Sequence, residues 1–336
     1  MEAYLRRLKV IYASRKLLRN WISAGVKYYL IRSGLSRSEY IEIVSKDGFK
    51  SSIPAKSYRF LLNDYYDGYI TDFDGRRGVV TYANKMRVPV KEVEKIAVIG
   101  RAIGSGWVYD EANGFWVKVN LKFKHLRGSI FEVFNYGDYE SLDVKDKIVI
   151  DAGAFIGDSA IYFALKGAKK VIAIEPYPSA YAEMLENIKL NGLESVIVPV
   201  NAGLAGKPSK ICVVDANVDS TVDTYHRPGD CSNPVPAITL GELMEKLNIN
   251  GNDAVLKMDC EGCEYDVILN DYEHARPFSE VYFEYHAFAM KKPVDLLLKK
   301  MHNDFKCRIT SGKEYAYRHG YKKEQLGLIS CKNMKA

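Results

Sequence analysis

Between positions 149 and 159 the chain reads Val-Ile-Asp-Ala-Gly-Ala-Phe-Ile-Gly-Asp-Ser, an apolar run that ends on an acid, turns on glycine and enters a helix. Gly153 lets the backbone approach a ligand closely, and Gly157 lets the new helix pack tightly on the strand. The free N–H groups at such a helix start can also hold an anionic group, such as a carboxylate. Glu175 closes the next apolar run, 24 residues after Asp151. An acid there is placed to accept hydrogen bonds from a ribose diol. The candidate cofactor set is therefore Asp151, Gly153, Ala154, Phe155, Gly157, Asp158, Ser159 and Glu175, with Asn201 and Ala202 at the end of a third run. The loop lacks the three-glycine dinucleotide pattern. Asp151 and Asp158 would repel a pyrophosphate but not a sulfonium cation, so the expected cofactor is S-adenosylmethionine rather than NAD.

A fourth apolar run ends in Leu-Lys-Met-Asp-Cys-Glu-Gly-Cys-Glu at 256–264, and a fifth in Phe-Glu-Tyr-His at 283–286. In an open α/β sheet the carboxyl ends of the central strands face the ligand crevice. Methyl transfer to oxygen needs a hydroxyl aligned with the sulfonium carbon, and a base to remove its proton. Asp259, Glu261, Glu284 and His286 qualify as catalytic candidates by position. Glu264 and Glu261 can alternatively be read as caps of the following helix. No Asn/Asp-Pro-Pro-Tyr/Phe sequence stands at this strand end, which argues against methylation of exocyclic base amines.

The elements that must position these groups follow a βα rhythm. Strands are expected at 147–151, 170–175, 196–201, 254–259 and 280–284, with helices at 158–166, 178–191 and 264–269. Thr239 and Glu242 read as a capping box for a helix through Leu247. Two closing strands, 305–310 and 326–331, finish the chain. Repeated βα units give a doubly wound, mostly parallel sheet. Residues 41–140 differ: β-branched and aromatic runs are broken by Asp-Gly or Asn-Gly at 47–48, 67–68, 74–75 and 113–114, the chemistry of hairpins. Residues 2–33 read as one amphipathic helix within a basic arm, 1–40, that holds nine Lys/Arg against two acids. The third domain is then 141–336. The glycines of 98–106 are followed by a strand-like Trp-Val-Tyr, so that segment reads as a β-turn rather than a nucleotide loop.

The ordered motifs at 151–159, 175–176, 187–192, 239–243 and 257–264, with Glu284, resemble the FkbM family of S-adenosylmethionine-dependent methyltransferases. The resemblance covers residues 147–286. It implies a Rossmann-like class I methyltransferase domain with a seven-stranded sheet and O-methylation of a sugar, polyketide or related small acceptor. The family usually has an acid where Gly241 stands, and an aliphatic residue and an alanine where Cys260 and Cys263 stand. A sugar or glycan hydroxyl is the expected acceptor. Tyr139, with Asp219 and Ser220 in the long loop 215–236, is expected to meet it. RNA methylation through the basic arm, or a non-catalytic scaffold, are the alternatives.

The chain carries +6 overall and the arm alone +7, which leaves the rest close to neutral, so a nucleic-acid partner is not expected. Six cysteines in 336 residues are too few for a disulfide scaffold. Cys260-x-x-Cys263 has no second pair to complete a zinc site, and no metal is expected; a disulfide there stays open. No signal peptide or membrane span is readable, so the expected location is the cytoplasm. The arm adds peripheral contact with the inner face of an anionic membrane through residues 1–33.

Overall fold

The computed structural model describes residues 2–212, 227–228, 234–311, 315–316 and 321–335, and it divides the chain into two units, 1–126 and 127–336. The first opens with two helices, α1 (Glu2–Ala13) and α2 (Trp21–Arg32), where a single one was expected. A 3₁₀ turn at Ser14–Lys16 parts them. Its cause is local: the buried Ser14 turns its hydroxyl back onto the Ile11 carbonyl at 2.6 Å. Asn20 then ties the connection to the next strand, donating to the Glu42 carbonyl and accepting from the Val44 N–H.

The hairpin β1 (Tyr40–Val44) and β2 (Lys50–Pro54) turns on Asp47-Gly48. Helix α3 (Ala55–Tyr66) follows, then the meander β3 (Ile70–Asp74), β4 (Val79–Tyr82) and β5 (Arg87–Pro89). Helix α4 (Val93–Gly104) leads to a second meander, β6 (Val108–Asp110), β7 (Phe115–Lys118) and β8 (Leu121–Phe123). Three of the four Asx-Gly pairs close hairpins, whereas the one at 67–68 ends α3. The β-turn expected over 98–106 is overturned, because 98–104 is the second half of α4. Its glycines serve packing: a Cβ at Gly100 would overlap the Asp64 carboxylate, and one at Gly104 would stand 2.6 Å from the Tyr69 hydroxyl.

Asp64 is buried inside this unit with the Tyr82 hydroxyl donating to it at 3.0 Å. Burial pushes its carboxyl up to about 7 despite that bond. A carboxyl raised in the folded state stabilises the fold below its ordinary range, and that contribution is lost as the pH rises through about 7. Thermal melts of the Asp64→Asn variant should therefore be less sensitive to pH between about 4 and 7 than those of the parent. Parallel pH profiles for the two proteins would contradict this account.

The second unit starts at Arg127, ahead of the boundary read at 141. Helix α5 (Gly128–Phe131) runs into a π-helical turn, Glu132–Tyr136, before the sheet begins. The expected rhythm then appears: β9 (Ile148–Ala152), α6 (Asp158–Leu165), β10 (Lys170–Ile174), α7 (Pro178–Leu190) and β11 (Ile197–Val200). A small side sheet holds β12 (Gly203–Leu204), β13 (Ser209–Cys212), β14 (Arg227–Pro228) and β15 (Pro234–Ile238). The stretch read as loop 215–236 is thus partly strand, and Asp219 and Ser220 lie outside the described residues.

Helix α8 (Leu240–Leu247) has the expected capping box: the Glu242 N–H donates to Thr239 Oγ1 at 3.1 Å, and the Thr239 N–H donates to Glu242 at 2.9 Å. Gly241 lies against His274, where a Cβ would come within 2.7 Å of the imidazole, so a side chain there would displace that ring. The remaining elements are β16 (Ala254–Met258), α9 (Cys263–Asn270), α10 (Tyr272–Ala275), β17 (Glu280–His286), α11 (Ala287–Met290), α12 (Asp295–Met301), β18 (Phe305–Ile309) and β19 (Leu326–Asn333).

The main sheet has seven strands in the order β11-β10-β9-β16-β17-β19-β18. β19 runs antiparallel to both neighbours, and the other six strands share one direction. This is a Rossmann-like, doubly wound α/β sheet. Chain order reverses between β9 and β16, so the crevice opens at the carboxyl ends of those two strands. Covered on both faces, β16 and β17 are buried along their whole lengths.

Candidate active site

Asp151, the next-to-last residue of β9, is fully buried. Ser159 donates to its Oδ2 at 2.7 Å, and the ammonium of Lys257 on β16 lies 2.8 Å from its Oδ1. The same ammonium meets the carbonyls of Gly153 (3.0 Å) and Ala152 (3.4 Å), so three acceptors surround its three protons. Burial pulls Lys257 toward neutrality, but Asp151 and Asp259 outweigh it and raise its pKa above the ordinary value. Lys257 was not among the sequence candidates.

The glycine loop turns on left-handed residues, with φ of 76° at Gly153, 47° at Phe155 and 86° at Gly157. A Cβ at Gly157 would stand 2.9 Å from Met184 on α7. At Gly153 a Cβ would overlap the carbonyl oxygen of Asp259, and the Asp259 N–H donates to Ala152 at 3.0 Å. The two strand-end loops are therefore in direct backbone contact. Glu175 lies beneath the first loop, its two carboxylate oxygens each accepting one N–H at 2.8 Å, from Phe155 and Tyr177. Burial raises it to about 7 against those bonds. Each oxygen keeps a second lone pair. Asp158 is buried at the start of α6, where burial raises it to about 6. Asn201 donates to the Glu175 carbonyl at 2.9 Å, and Ala202 is buried beside it in sequence.

Across the crevice the four catalytic candidates form one cluster. His286 ends β17, almost fully buried. Its Nδ1 meets Glu264 at 3.2 Å, while its Nε2 faces Glu261 (3.4 Å), Glu284 (3.7 Å) and Asp259 (3.9 Å). Burial alone would lower the imidazole, but Glu261, Glu264 and Glu284 overcome it and hold His286 well above its ordinary pKa. It is an imidazolium with no lone pair to offer. Asp259, Glu284 and His286 bring donor atoms within 4.8 Å of one another, a spacing that suits a metal ion.

The carboxylates differ. Burial pushes Glu284 well above the usual range, reinforced by the charge of Asp259. Asp259 is lowered: burial opposes its charge, but Lys257 and His286 stabilise it more. Glu261 is raised by burial to about 7, and a quarter of its side chain, 25%, reaches solvent. Glu261 also holds a left-handed φ of 54°, uncommon for a non-glycine residue. Glu261 and Asp259 thus both reach solvent in part beside the His286 ring, and of the two only Glu261 is raised.

Two further residues, beside Lys257, supply what the sequence reading missed. Glu264 is more than a helix cap, since it accepts the His286 N–H at 2.9 Å as well as the Gly262 N–H at 3.0 Å. Tyr315 donates to Glu284 at 3.0 Å. Tyr139, expected at the acceptor, is buried; its hydroxyl donates to Asp259 at 2.9 Å and its ring sits 5.3 Å from the Lys257 ammonium. Cys260 and Cys263 form a disulfide bracketing Glu261-Gly262, and Cys307 and Cys331 form another between β18 and β19.

The methyltransferase FkbM domain matches residues 151–308. Uncharacterized protein 158B of Sulfolobus islandicus rod-shaped virus 1 is 30% identical over 161 residues, covering 48% of this chain and 73% of the viral protein. A ribosomal protein L11 methyltransferase from Citrifermentans bemidjiense is 34% identical over 70 residues, 21% of this chain and 23% of that enzyme. Among solved structures, the methyltransferase FkbM from Methylobacillus flagellatus KT superposes with a TM-score of 0.38 at 15% identity, over 58% of this chain and 45% of that one. The last two matches span less than two thirds of the partner's length. The matched domain begins at Asp151 and takes in every strand-end acid described above, so residues 151–308 of this chain form a methyltransferase FkbM domain.

Proposed function

We propose that the second unit binds S-adenosylmethionine along the β9 and β10 strand ends and methylates a hydroxyl of a sugar or glycan. The observation that carries this reading is Glu261, a partly exposed carboxylate that titrates near 7 beside the buried His286 imidazolium. A general base works best with its pKa near the operating pH. The cofactor's fit rests on the donor set. Residues 151–159 contain no Lys or Arg, so the loop offers acceptors and backbone groups rather than a phosphate clamp. Lys257 cancels the charge of Asp151, which leaves Asp158 and Glu175 to disfavour a pyrophosphate. Glu175, with one lone pair free on each oxygen, is the group that would receive the ribose hydroxyls.

The bound cofactor supplies an electrophilic methyl whose bond to sulfur breaks as the acceptor oxygen bonds to carbon, with the bonding pair leaving on sulfur. Glu261 takes the hydroxyl proton. His286 stays charged and offsets part of the burial that raises Glu261, and Tyr139 holds Asp259 in place as a second acceptor for a polyol. A carboxylate-lined crevice suits neutral hydroxyls and repels a phosphate backbone, which disfavours RNA as the acceptor.

Calorimetric titration tests the cofactor. The parent protein should bind S-adenosylmethionine, and Glu175→Ala should bind it roughly tenfold to a hundredfold more weakly, the loss of a charged hydrogen-bond partner worth about 1.5–3 kcal/mol. No binding by the parent would overturn the proposal, and unchanged affinity in the variant would overturn the ribose role. Mass spectrometry of glycans from a deletion strain of the source organism tests the acceptor, with loss of a methyl group as the expected result.

A further inference from the structure

The first unit presents a surface that the methyl-transfer chemistry does not use. On α1, Leu5, Leu8 and Tyr12 are 49–53% exposed, and on α2, Ile22, Val26 and Tyr29 are 55–68% exposed. At about 100° per residue these positions form one stripe on each helix. The α1 stripe lies opposite the buried Val10, and the α2 stripe lies opposite the buried Ala24. Isolated exposed apolar residues are ordinary, but a stripe on each of two consecutive helices is not. A shallow groove of about 650 Å³ runs along α2, lined by Trp21, Ile22, Val26 and Leu30 together with Arg19 and Lys27.

The charge around these stripes has one sign. No acid occurs between positions 3 and 38, whereas eight Lys/Arg lie between positions 6 and 32. Arg6 pairs with Asp67 at 2.8 Å. Lys9, Arg15 and Lys16 are exposed, and no ion pair is described for them. Lys9 borders the arc of Leu5, Leu8 and Tyr12, about 40° beyond Leu5. A second copy of this face would bring like charges together. Nucleic acid would answer the cations but leave the apolar stripes in water. An anionic bilayer surface satisfies both, taking apolar side chains at the acyl boundary and cations at the headgroups. No described helix is long and apolar enough to cross a membrane.

We propose that α1 and α2 dock the first unit peripherally on an anionic lipid surface. The proposal is independent of methyl transfer, and its test uses neither cofactor nor acceptor. The full chain should co-sediment at low salt with phosphatidylcholine vesicles containing about one-third phosphatidylglycerol, and far less with phosphatidylcholine alone. Trp21 fluorescence should shift to the blue on binding, since Trp107 and Trp116 are already buried. The variant Lys9→Gln/Arg15→Gln/Lys16→Gln should bind on the order of a hundredfold more weakly, at roughly fivefold per cation. Ile22→Ser/Val26→Ser/Tyr29→Ser should also lose binding with its melting temperature retained. Failure to sediment with anionic vesicles would overturn the proposal. So would loss in the charge variant alone, which points to nucleic acid, or a concentration-dependent dimer abolished by the serine variant, which points to a second copy.

Discussion

The Lys257→Met variant should unfold about 3–5 kcal/mol more easily than the parent, because it leaves Asp151 charged and buried without its partner. For a unit of this size each kcal/mol shifts the melting temperature by roughly 2–4 °C, so a fall of roughly 6–20 °C is expected in the transition of the second unit. Lys257 also covers the carbonyls of Ala152 and Gly153, and methionine cannot replace either bond. Adding Asp151→Asn to Lys257→Met should recover a large part of the loss, since the orphan charge is then gone. The double-mutant cycle measures that coupling directly. A loss below about 1 kcal/mol in the single variant would mean that the pair does not hold the two central strands together.

The Glu261→Gln variant should keep its fold and cofactor affinity while kcat falls by about 100- to 10,000-fold, the range over which a general base contributes. The pH profile gives an independent reading. A base must be unprotonated, so parent activity should rise with pH, pass its midpoint near 7 and level off above it. Removing the neighbouring cation with His286→Gln should move that midpoint to higher pH, because the imidazolium is what lowers Glu261. If kcat in Glu261→Gln stays within about threefold of the parent, the proton is taken elsewhere, and Asp259 becomes the group to replace next.

Most of the second unit was legible because its signals are local. Each strand is a short buried run ending on a polar residue, and Gly157, Gly192 and the Thr239–Glu242 box mark helix ends in the sequence itself. The first unit was less legible. Asx-Gly pairs dominate its pattern, and the tyrosines and Phe60 of α3 favour strands by propensity. The 3.6-residue spacing of Tyr58, Leu61 and Leu62 carried the helical signal, and packing decided in its favour.

The carboxylate cluster was readable from strand-end positions, but its internal division was not. Which acid keeps its proton depends on burial and on His286, and both are tertiary. Lys257 did leave a trace: a lysine inside a parallel strand covered on both faces has no solvent side, so it requires a buried partner. Tyr315 left none, since it reaches Glu284 from 31 residues away. The Cys307–Cys331 pair follows only from the register of β18 on β19, where the two residues stand directly opposite.

The closeness of Gly153 to the Asp259 carbonyl sets a mechanical condition on the crevice. With only a hydrogen atom between them, and Asp259 bonded back to Ala152, neither strand-end loop can shift without displacing the other. A molecule that reshapes the first loop on arrival therefore also moves Asp259 on the second. Such a linkage works equally in both directions, so of two molecules held one by each loop, whichever enters first changes the affinity for the second by the factor it would itself experience in the reverse order.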